Sequence, residues 1–278
     1  MGSSGLLVKA FVAQEEINGI GSRDIILLST SAHIELKTLL GQAATLHASL
    51  SDGTRTQFTG LIHLAANLGS EGGMARYSIR LVPWMWLLTQ CRTNRVWQDK
   101  SVIDIVEAVF ARYQTHAAWS WSDEVAPFME EARDRSLCTQ YRESDYDFVS
   151  RLLTEEGLSW RVEEDKAAPS GHRIVLFADS TQLCATPENI SSHNALGGAG
   201  IRFHGGRSRE EQDAIQVLGA KRSLHAAITT VLTSNYKAKQ AIAASVPTNH
   251  EYGGKNAPVI ESYDAPGSYA YATVALAR

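Results

Sequence analysis

Two pairs of adjacent glutamates are the side chains in this 278-residue chain that come closest to catalytic chemistry. Glu155–Glu156 and Glu163–Glu164 carry carboxylates of the kind that glycoside hydrolases use, about 5–10 Å apart, as acid and as base or nucleophile. Adjacent residues of a helix face different directions, however, and runs of charged residues usually lie on solvated faces. The spacing therefore favours ion pairs or solvated positions for all four glutamates.

The other reactive residue types lack the spacing that their chemistry requires. The nine histidines form no H-E-x-x-H motif or other paired metal-ligand motif, and no G-x-S-x-G sequence supplies a nucleophilic serine. Gly198-Ala199-Gly200 begins like a dinucleotide-binding loop without its third glycine, so we expect a flexible loop. Most tryptophans are expected in the core, and Trp119-Ser120-Trp121 is the best candidate for exposed aromatic side chains. The sequence thus predicts no catalytic residue, no cofactor and no metal site.

Composition and charge exclude several classes of protein. With 44% hydrophobic and 20% charged residues, the composition is that of an ordinary globular protein. The net charge of −4 gives no indication of nucleic acid or an anionic membrane as partner. Three widely separated cysteines and no CxxC motif argue against a disulfide framework and favour a reducing compartment. The apolar run at residues 6–13 is too short and too interrupted for a secretory signal.

The first third of the chain is predicted to be β-rich and the middle part to mix helices with strands. Strands are expected at 24–29, 42–50, 55–64 and 75–82, with turns at Asp52-Gly53 and 69–73. Such spacing suggests a small barrel or sandwich. Residues 83–88 predict a short apolar turn or helix. Ser101 opens a capping box ahead of a helical apolar stripe formed by Val102, Ile105, Val106, Val109 and Phe110. Further on, we expect a strand at 172–179, two strand-like runs within 213–236, and loop over 246–268.

Residues 137–160 predict a strand, a capped helix, a glycine stop and a second strand. Leu137, Thr139 and Tyr141 alternate, as one face of a half-buried strand should. Ser144 is a good N-cap, and Asp147 three residues later predicts a reciprocal capping box.

The helix that follows is amphipathic and has a defined end. Phe148 with Leu152 and Val149 with Leu153 form one apolar stripe, while Arg151 and Glu155 are spaced for a surface ion pair. Gly157 can take the left-handed conformation that ends a helix, after which Leu158, Trp160 and Val162 alternate in a strand. Arg142, Glu143 and Asp145 flank the strand–helix junction, and we expect them to form a buried or half-buried network that fixes it.

This segment and others in the same order resemble the VgrG family of type VI secretion spike proteins. The other segments are the hairpin at 52–60 and residues 77–88, 94–106, 176–179 and 263–270. We take as the structural signature of the resemblance Tyr141, Arg142, Glu143, Ser144, Asp145, Phe148, Arg151, Glu156 and Gly157.

The resemblance implies an α+β, mostly β fold similar to a phage tail hub, with two small β-barrels joined by an α/β region. The expected domains are a first barrel at 6–90, an α/β connecting domain at 91–170, and a second barrel with the start of a C-terminal helix at 171–278. Members of the family continue into an OB-fold and a β-helix needle. The chain, which stops at Arg278, is therefore expected to be a truncated fragment.

The function implied by the resemblance is structural rather than enzymatic. The chain would be the hub portion of a type VI spike, a homotrimer in its full-length context that links the hexameric tail-tube protein (Hcp) to the membrane-puncturing needle. Baseplate components would be further partners, with a PAAR-type tip and effectors bound through the missing C-terminal parts. Assembly would occur in the bacterial cytoplasm, followed by export through the type VI apparatus without a signal peptide. The alternatives are the tail hub of a phage-like injection particle and a hydrolase or carbohydrate-binding module on the same scaffold.

Overall fold

The structure is a computed structural model that describes residues 5–49, 55–130, 132–178, 217, 219–221, 223–235, 240–247 and 258–265. The chain divides into two compact units, the first covering residues 1–201 and 208–213 and the second the remaining residues to 278. The described residues form thirteen strands and three short α-helices, so the prediction of a mostly β fold is confirmed. No helix among these residues has both the length and the apolar character needed to cross a membrane.

The first unit begins with a five-stranded antiparallel sheet in the order β1-β2-β5-β4-β3. Its strands are β1 (Leu7–Gln14), β2 (Ser22–Ser29), β3 (Ala43–Ser49), β4 (Arg55–Glu71) and β5 (Met74–Val82). The sheet is a curled half-barrel whose edges are β1 and β3. Its core comes from alternate residues of β2 to β5, including Ile25, Leu27, Leu46, Ile62, Tyr77, Ile79 and Leu81.

The predicted hairpins are present, with one difference in turn length. Strands β3 and β4 pair with Ser49 opposite Arg55, while the Asp52-Gly53 turn itself lies outside the described residues. The second turn is shorter than the predicted span of 69–73, because β4 and β5 still pair at Glu71 and Met74. Gly72 and Gly73, both with positive φ, make the connection alone.

The α/β region contains two small sheets, three α-helices and short 3₁₀ segments. Its elements are a 3₁₀ helix (Trp84–Gln90), β6 (Arg92–Trp97), α1 (Val102–Phe110), a 3₁₀ helix (Ala111–Tyr113), β7 (Trp119–Trp121), α2 (Val125–Phe128), β8 (Cys138–Ser144), α3 (Asp145–Glu155), β9 (Ser159–Glu164) and β10 (His172–Phe177). Strands β6 and β8 form a two-stranded antiparallel ribbon. Strand β10 lies between β9, which is antiparallel to it, and β7, which is parallel.

The apolar stripe of α1 is confirmed, since all five of its predicted members are at most 1% exposed. They pack with the buried face of α3 in one core cluster. The expectation that Trp119 and Trp121 are exposed is wrong. Both are half-buried in β7, where Trp119 packs edge-on against Phe110 and Trp121 Nε1 donates to a carboxylate oxygen of Glu107 at 2.9 Å.

Two predictions about the later part of the chain need correction. Because β10 pairs with β9 and β7, it belongs to the α/β region, and the expected boundary at residue 171 comes too early. The second unit contains a three-stranded sheet in the order β12-β11-β13. Its strands are β11 (Ile228–Asn235), β12 (Gln240–Pro247) and β13 (Glu261–Asp264), so part of the segment predicted as loop is strand. Gly198–Gly200 and the expected C-terminal helix lie outside the described residues.

Candidate functional site

The strand–helix junction is organised around one buried carboxylate. Asp145, the first residue of α3, is fully buried. Its carboxylate accepts hydrogen bonds from Arg95 at 3.0 and 3.1 Å, from the Tyr113 hydroxyl at 2.9 Å and from the side-chain amide of Gln140 at 2.8 Å. A buried charge is tolerated where it is paired and its lone pairs are satisfied. Here the partners come from β6, β8 and the 3₁₀ helix after α1, so one side chain joins three elements to α3.

The protonation of Tyr113 supports this arrangement. Burial, together with hydrogen bonds involving Cys91 and Asp145, raises the pKa of the Tyr113 hydroxyl far above its ordinary value. The phenol therefore stays protonated and remains a hydrogen-bond donor to Asp145.

Ser144 caps α3, but not through the reciprocal capping box that the sequence predicts. Its hydroxyl oxygen accepts the backbone N–H of Asp147 at 3.0 Å, and the hydroxyl donates to the Asp147 carboxylate at 2.6 Å. Ser144 is also the last residue of β8, where it pairs with Arg92. The full reciprocal box occurs instead at α1, between Ser101 and Asp104.

Strand β8 buries the face opposite to the predicted one. Leu137, Thr139 and Tyr141 are exposed, whereas Cys138 and Gln140 are buried. The pattern misleads because a polar residue, Gln140, occupies the core position in order to bind Asp145. Beyond it the ladder has a bulge, since the register shifts between Thr93 and Arg95 on the partner strand.

The bulge places Arg142 in the left-handed region with φ +58° and directs it outward. Its backbone N–H donates to Oδ1 of Asn94 at 2.8 Å, and its guanidinium lies 5.9 Å from the ring centroid of Tyr141. The expectation that Arg142 belongs to a buried network is therefore wrong. Glu143, by contrast, is half-buried and binds Arg151 at 3.0 Å.

The outer side of α3 carries a chain of ion pairs. Arg151 forms the predicted pair with Glu155 at 3.1 Å in addition to its bond with Glu143. Arg135, from the loop before β8, binds Glu155 at 2.5 Å and Glu156 at 2.8 Å. Beneath them, Phe148 is fully buried and stacks on Trp97 with ring centroids 5.0 Å apart.

The four glutamates that resemble catalytic carboxylates are all engaged in holding the fold together. Burial raises the pKa of Glu156, although Arg135 opposes the shift. Burial also acts to raise the pKa of Glu163, but hydrogen bonds from Arg161 and Arg173 outweigh it and the net shift is downward. Glu164 accepts the backbone N–H of Thr59 at 2.8 Å. Among the described residues, no group of three or more His, Cys, Asp or Glu side chains has the geometry to hold a metal ion.

Gly157 ends α3 as predicted, with φ +72°. The N–H of Leu158 donates to the carbonyl of Leu153 at 2.8 Å, and the N–H of Gly157 to that of Thr154 at 3.1 Å. These two bonds are the Schellman arrangement, which satisfies carbonyls that a helix end would otherwise leave unpaired.

A joint between the first sheet and the α/β region depends on a residue that the sequence analysis did not single out. Asn18 lies in the β1–β2 connection with φ +60°. Its Oδ1 accepts the backbone N–H of Trp160 at 2.7 Å, and its own N–H donates to the Trp160 carbonyl at 3.1 Å. The Asn18-Gly19 dipeptide is a turn signal that would have identified the turn, although not its docking on β9.

His172 is a second residue that the sequence analysis did not single out, and it lies within the α/β region beside the contact with the first sheet. It is fully buried, its Nε2 accepts the backbone N–H of Trp84 at 2.9 Å, and its Nδ1 lies 2.9 Å from the Ser170 carbonyl. Burial lowers the pKa of His172 to about 4, so the ring is neutral, with Nδ1 as the donor. The adjacent Gly171 has φ +74° and lies directly against Thr59 of β4.

A family model and individual relatives both relate this chain to tail hub and spike proteins. The family model of the phage tail baseplate hub (GPD) matches residues 14–277. The chain is 29% identical over 192 residues to the type VI secretion system spike protein VgrG1b of Pseudomonas aeruginosa. The matched residues are 69% of this chain and 25% of that protein. The chain is 31% identical over 193 residues to VgrG1a of the same organism, covering 69% and 28%.

A solved structure shows the same relationship. The E. coli c3393 protein is described as a component of the type VI secretion system with structural similarity to the bacteriophage T4 tail proteins gp27 and gp5. It is 30% identical, with a TM-score of 0.54 over 64% of this chain and 47% of that one. The chain spans only 25–28% of the length of the two curated relatives named above.

Proposed function

The chain belongs to the phage tail baseplate hub (GPD) family, and from this premise we propose that it is the hub portion of a type VI secretion spike. The observation that carries the proposal is the family match over nearly the whole chain together with about 30% identity to VgrG spike proteins. The relatives that match at 29% and 31% identity are type VI spike proteins. The identity therefore favours the spike over the tail hub of a phage-like particle.

The work of such a hub is mechanical, and the described interior suits it. Asp145 fixes the start of α3 to three other elements, and Arg135 fixes its end. Paired buried charges contribute little net stability, but separating them leaves a charge uncompensated at a cost of about 3–5 kcal/mol. An interior of this kind resists sliding of one element past another, which a platform under contraction requires.

The proposed assembly is a homotrimer in the full-length protein that lies between the hexameric tail tube (Hcp) and the needle. Three copies, each with two similar barrels, would present a ring of near six-fold symmetry to the tube although the spike is three-fold. Baseplate components would contact the same platform, while a PAAR-type tip and effectors would bind other parts of the longer protein. Assembly would take place in the cytoplasm, followed by export through the type VI apparatus.

The family is a structural one, and we place no reaction on this chain. The hydrolase alternative would require at least one of Glu155 and Glu156 to be available to a substrate, whereas both bind Arg135. A hydrolase activity of the purified protein that Glu156→Gln abolished would contradict this part of the proposal.

The test of the hub role is whether the protein caps tubes. Purified full-length protein is mixed with the tail-tube protein of the same organism assembled into tubes, and the mixture is examined by co-sedimentation and electron microscopy. We expect three-fold particles at tube ends and protein in the tube pellet. Side binding, or no binding at all, would refute the proposal.

A further inference from the structure

The outward face of the β6–β8 ribbon is apolar and exposed. Val96, Leu137 and Tyr141 are 60%, 61% and 65% exposed. Val96 pairs opposite Thr139, and Leu137 and Tyr141 lie two residues to either side of Thr139. Side chains in these diagonal positions lie on the same face within reach of one another. We call this cluster, together with the exposed Arg92 and Arg142 that flank it, the ribbon patch.

The backbone maintains the ribbon patch at a cost. Holding an L-residue such as Arg142 in the left-handed region costs roughly 1–2 kcal/mol. The other non-glycine residues with positive φ in the described part of the chain are Asn18 and Asp99, whose types tolerate this conformation. Arginine has no such preference, and its strained position directs the guanidinium outward beside Tyr141. Strain of this kind clusters at functional positions.

The chemistry of the ribbon patch indicates what it binds. Tyrosine and arginine are among the residue types that contribute most to binding energy in protein interfaces. Within the described residues, neither Arg92 nor Arg142 has a carboxylate partner. An apolar centre flanked by two free guanidinium groups is complementary to a protein surface on which carboxylates flank an apolar region.

We propose that the ribbon patch is a contact between protomers, in which its arginines bind carboxylates of a second copy and Tyr141 packs against that copy. The proposal rests on the proposed homotrimer, in which every protomer contacts other copies of this chain. The chain has 30 acidic and 26 basic residues, so a second copy offers carboxylates in excess. A three-fold contact joins two different surfaces, so the basic patch need not face itself as it would across a two-fold axis.

The test compares association of full-length variants by analytical ultracentrifugation across the micromolar range. The double variant Arg92→Glu/Arg142→Glu should associate at least tenfold more weakly than the wild type, and Tyr141→Ala should also weaken association. Arg55→Glu is the matched control, since it makes the same change at an exposed arginine of β4 and should leave the trimer intact. Near-ultraviolet circular dichroism checks that each variant is folded.

Arg142→Gly separates a binding role from a structural one. Glycine relieves the strain at φ +58° and removes the guanidinium, so the variant should unfold at a higher temperature and yet associate more weakly. If the wild type is trimeric and these variants associate as it does, the assignment of the ribbon patch is wrong while the hub role stands. The assignment is also wrong if the variants remain trimeric and lose only their binding to the tube. A wild type that does not trimerise would overturn both proposals.

Discussion

The β9–β10 connection packs on the first sheet at Gly171. Substitution there should combine two costs, the strain of a left-handed backbone and a collision with Thr59. Gly171 has φ +74°, and a Cβ atom added there would lie 2.3 Å from Cγ2 of Thr59 on β4. Gly73 has nearly the same backbone conformation, φ +79°, but a Cβ added there would meet no atom within 4 Å. Alanine at Gly73 therefore incurs only the backbone cost, whereas alanine at Gly171 incurs a collision as well.

The expected magnitudes follow from these two geometries. The left-handed conformation costs an L-residue roughly 1–2 kcal/mol, which is the whole effect for Gly73→Ala. Overpacking adds about 1–3 kcal/mol, so Gly171→Ala should reduce the free energy of unfolding by about 2–5 kcal/mol. In a unit of this size each kcal/mol corresponds to a fall of roughly 2–4 °C in the melting midpoint.

Tryptophan fluorescence during urea unfolding is the assay, because all six tryptophans lie in the first unit. Thr59→Ser removes Cγ2, so Gly171→Ala should cost less in that background, with a coupling of about 0.5–3 kcal/mol. Equal losses for Gly73→Ala and Gly171→Ala, with no coupling to Thr59→Ser, would show that the connection does not pack on β4 as described.

Three further predictions concern the α/β region. The pKa of His172 is lowered to about 4 in the folded chain, below its ordinary value of about 6.5, so between these pH values the unfolded state binds a proton that the folded state does not. The free energy of unfolding should therefore fall by up to about 3 kcal/mol as the pH falls from about 6.5 to about 4. His172→Gln should flatten that part of the pH profile of urea unfolding. Asp145→Ala should cost about 3–5 kcal/mol, since it leaves Arg95 without its buried partner, and a denaturation midpoint like that of the wild type would contradict the network. Gly157→Val should lower the free energy of unfolding by more than about 1 kcal/mol, and Gly157→Asn should lower it by less, as measured by thermal melting. The loss comes from the backbone conformation and not from a collision, because the nearest atom to an added Cβ is 3.7 Å away.

The sequence was sufficient where structure depends on neighbours along the chain. The stripe of α1, the Ser101 box, the Gly157 stop and the β3–β4 hairpin follow from residues within a few positions of each other, and the structure contains all of them. Local signals of this kind also identified the strands of the first sheet, apart from the exposed edge strand β1.

The failures occur where a polar side chain binds one specific partner, either from a core position or from far along the chain. Gln140 is buried because Asp145 needs a donor, and this reverses the predicted face of β8. Asn18 and His172 bind backbone groups 142 and 88 residues away, so no window along the sequence could reveal them. The boundary expected at residue 171 fails for a local reason, since it falls inside the hairpin that β9 forms with β10.

The choice of polar rather than apolar contacts at these places has a mechanical reason. Apolar side chains pack with little directional preference, so two elements held by them alone can shift by a residue at modest cost. Asp145, by contrast, accepts directional hydrogen bonds from Arg95, Tyr113 and Gln140, and a shift of any one of them leaves a buried charge short of a partner. The bulge that follows Gln140 keeps that residue inward and Tyr141 with Arg142 outward. The bulge in β8 therefore supports both the rigid interior around Asp145 and the ribbon patch, which we propose contacts the neighbouring protomer.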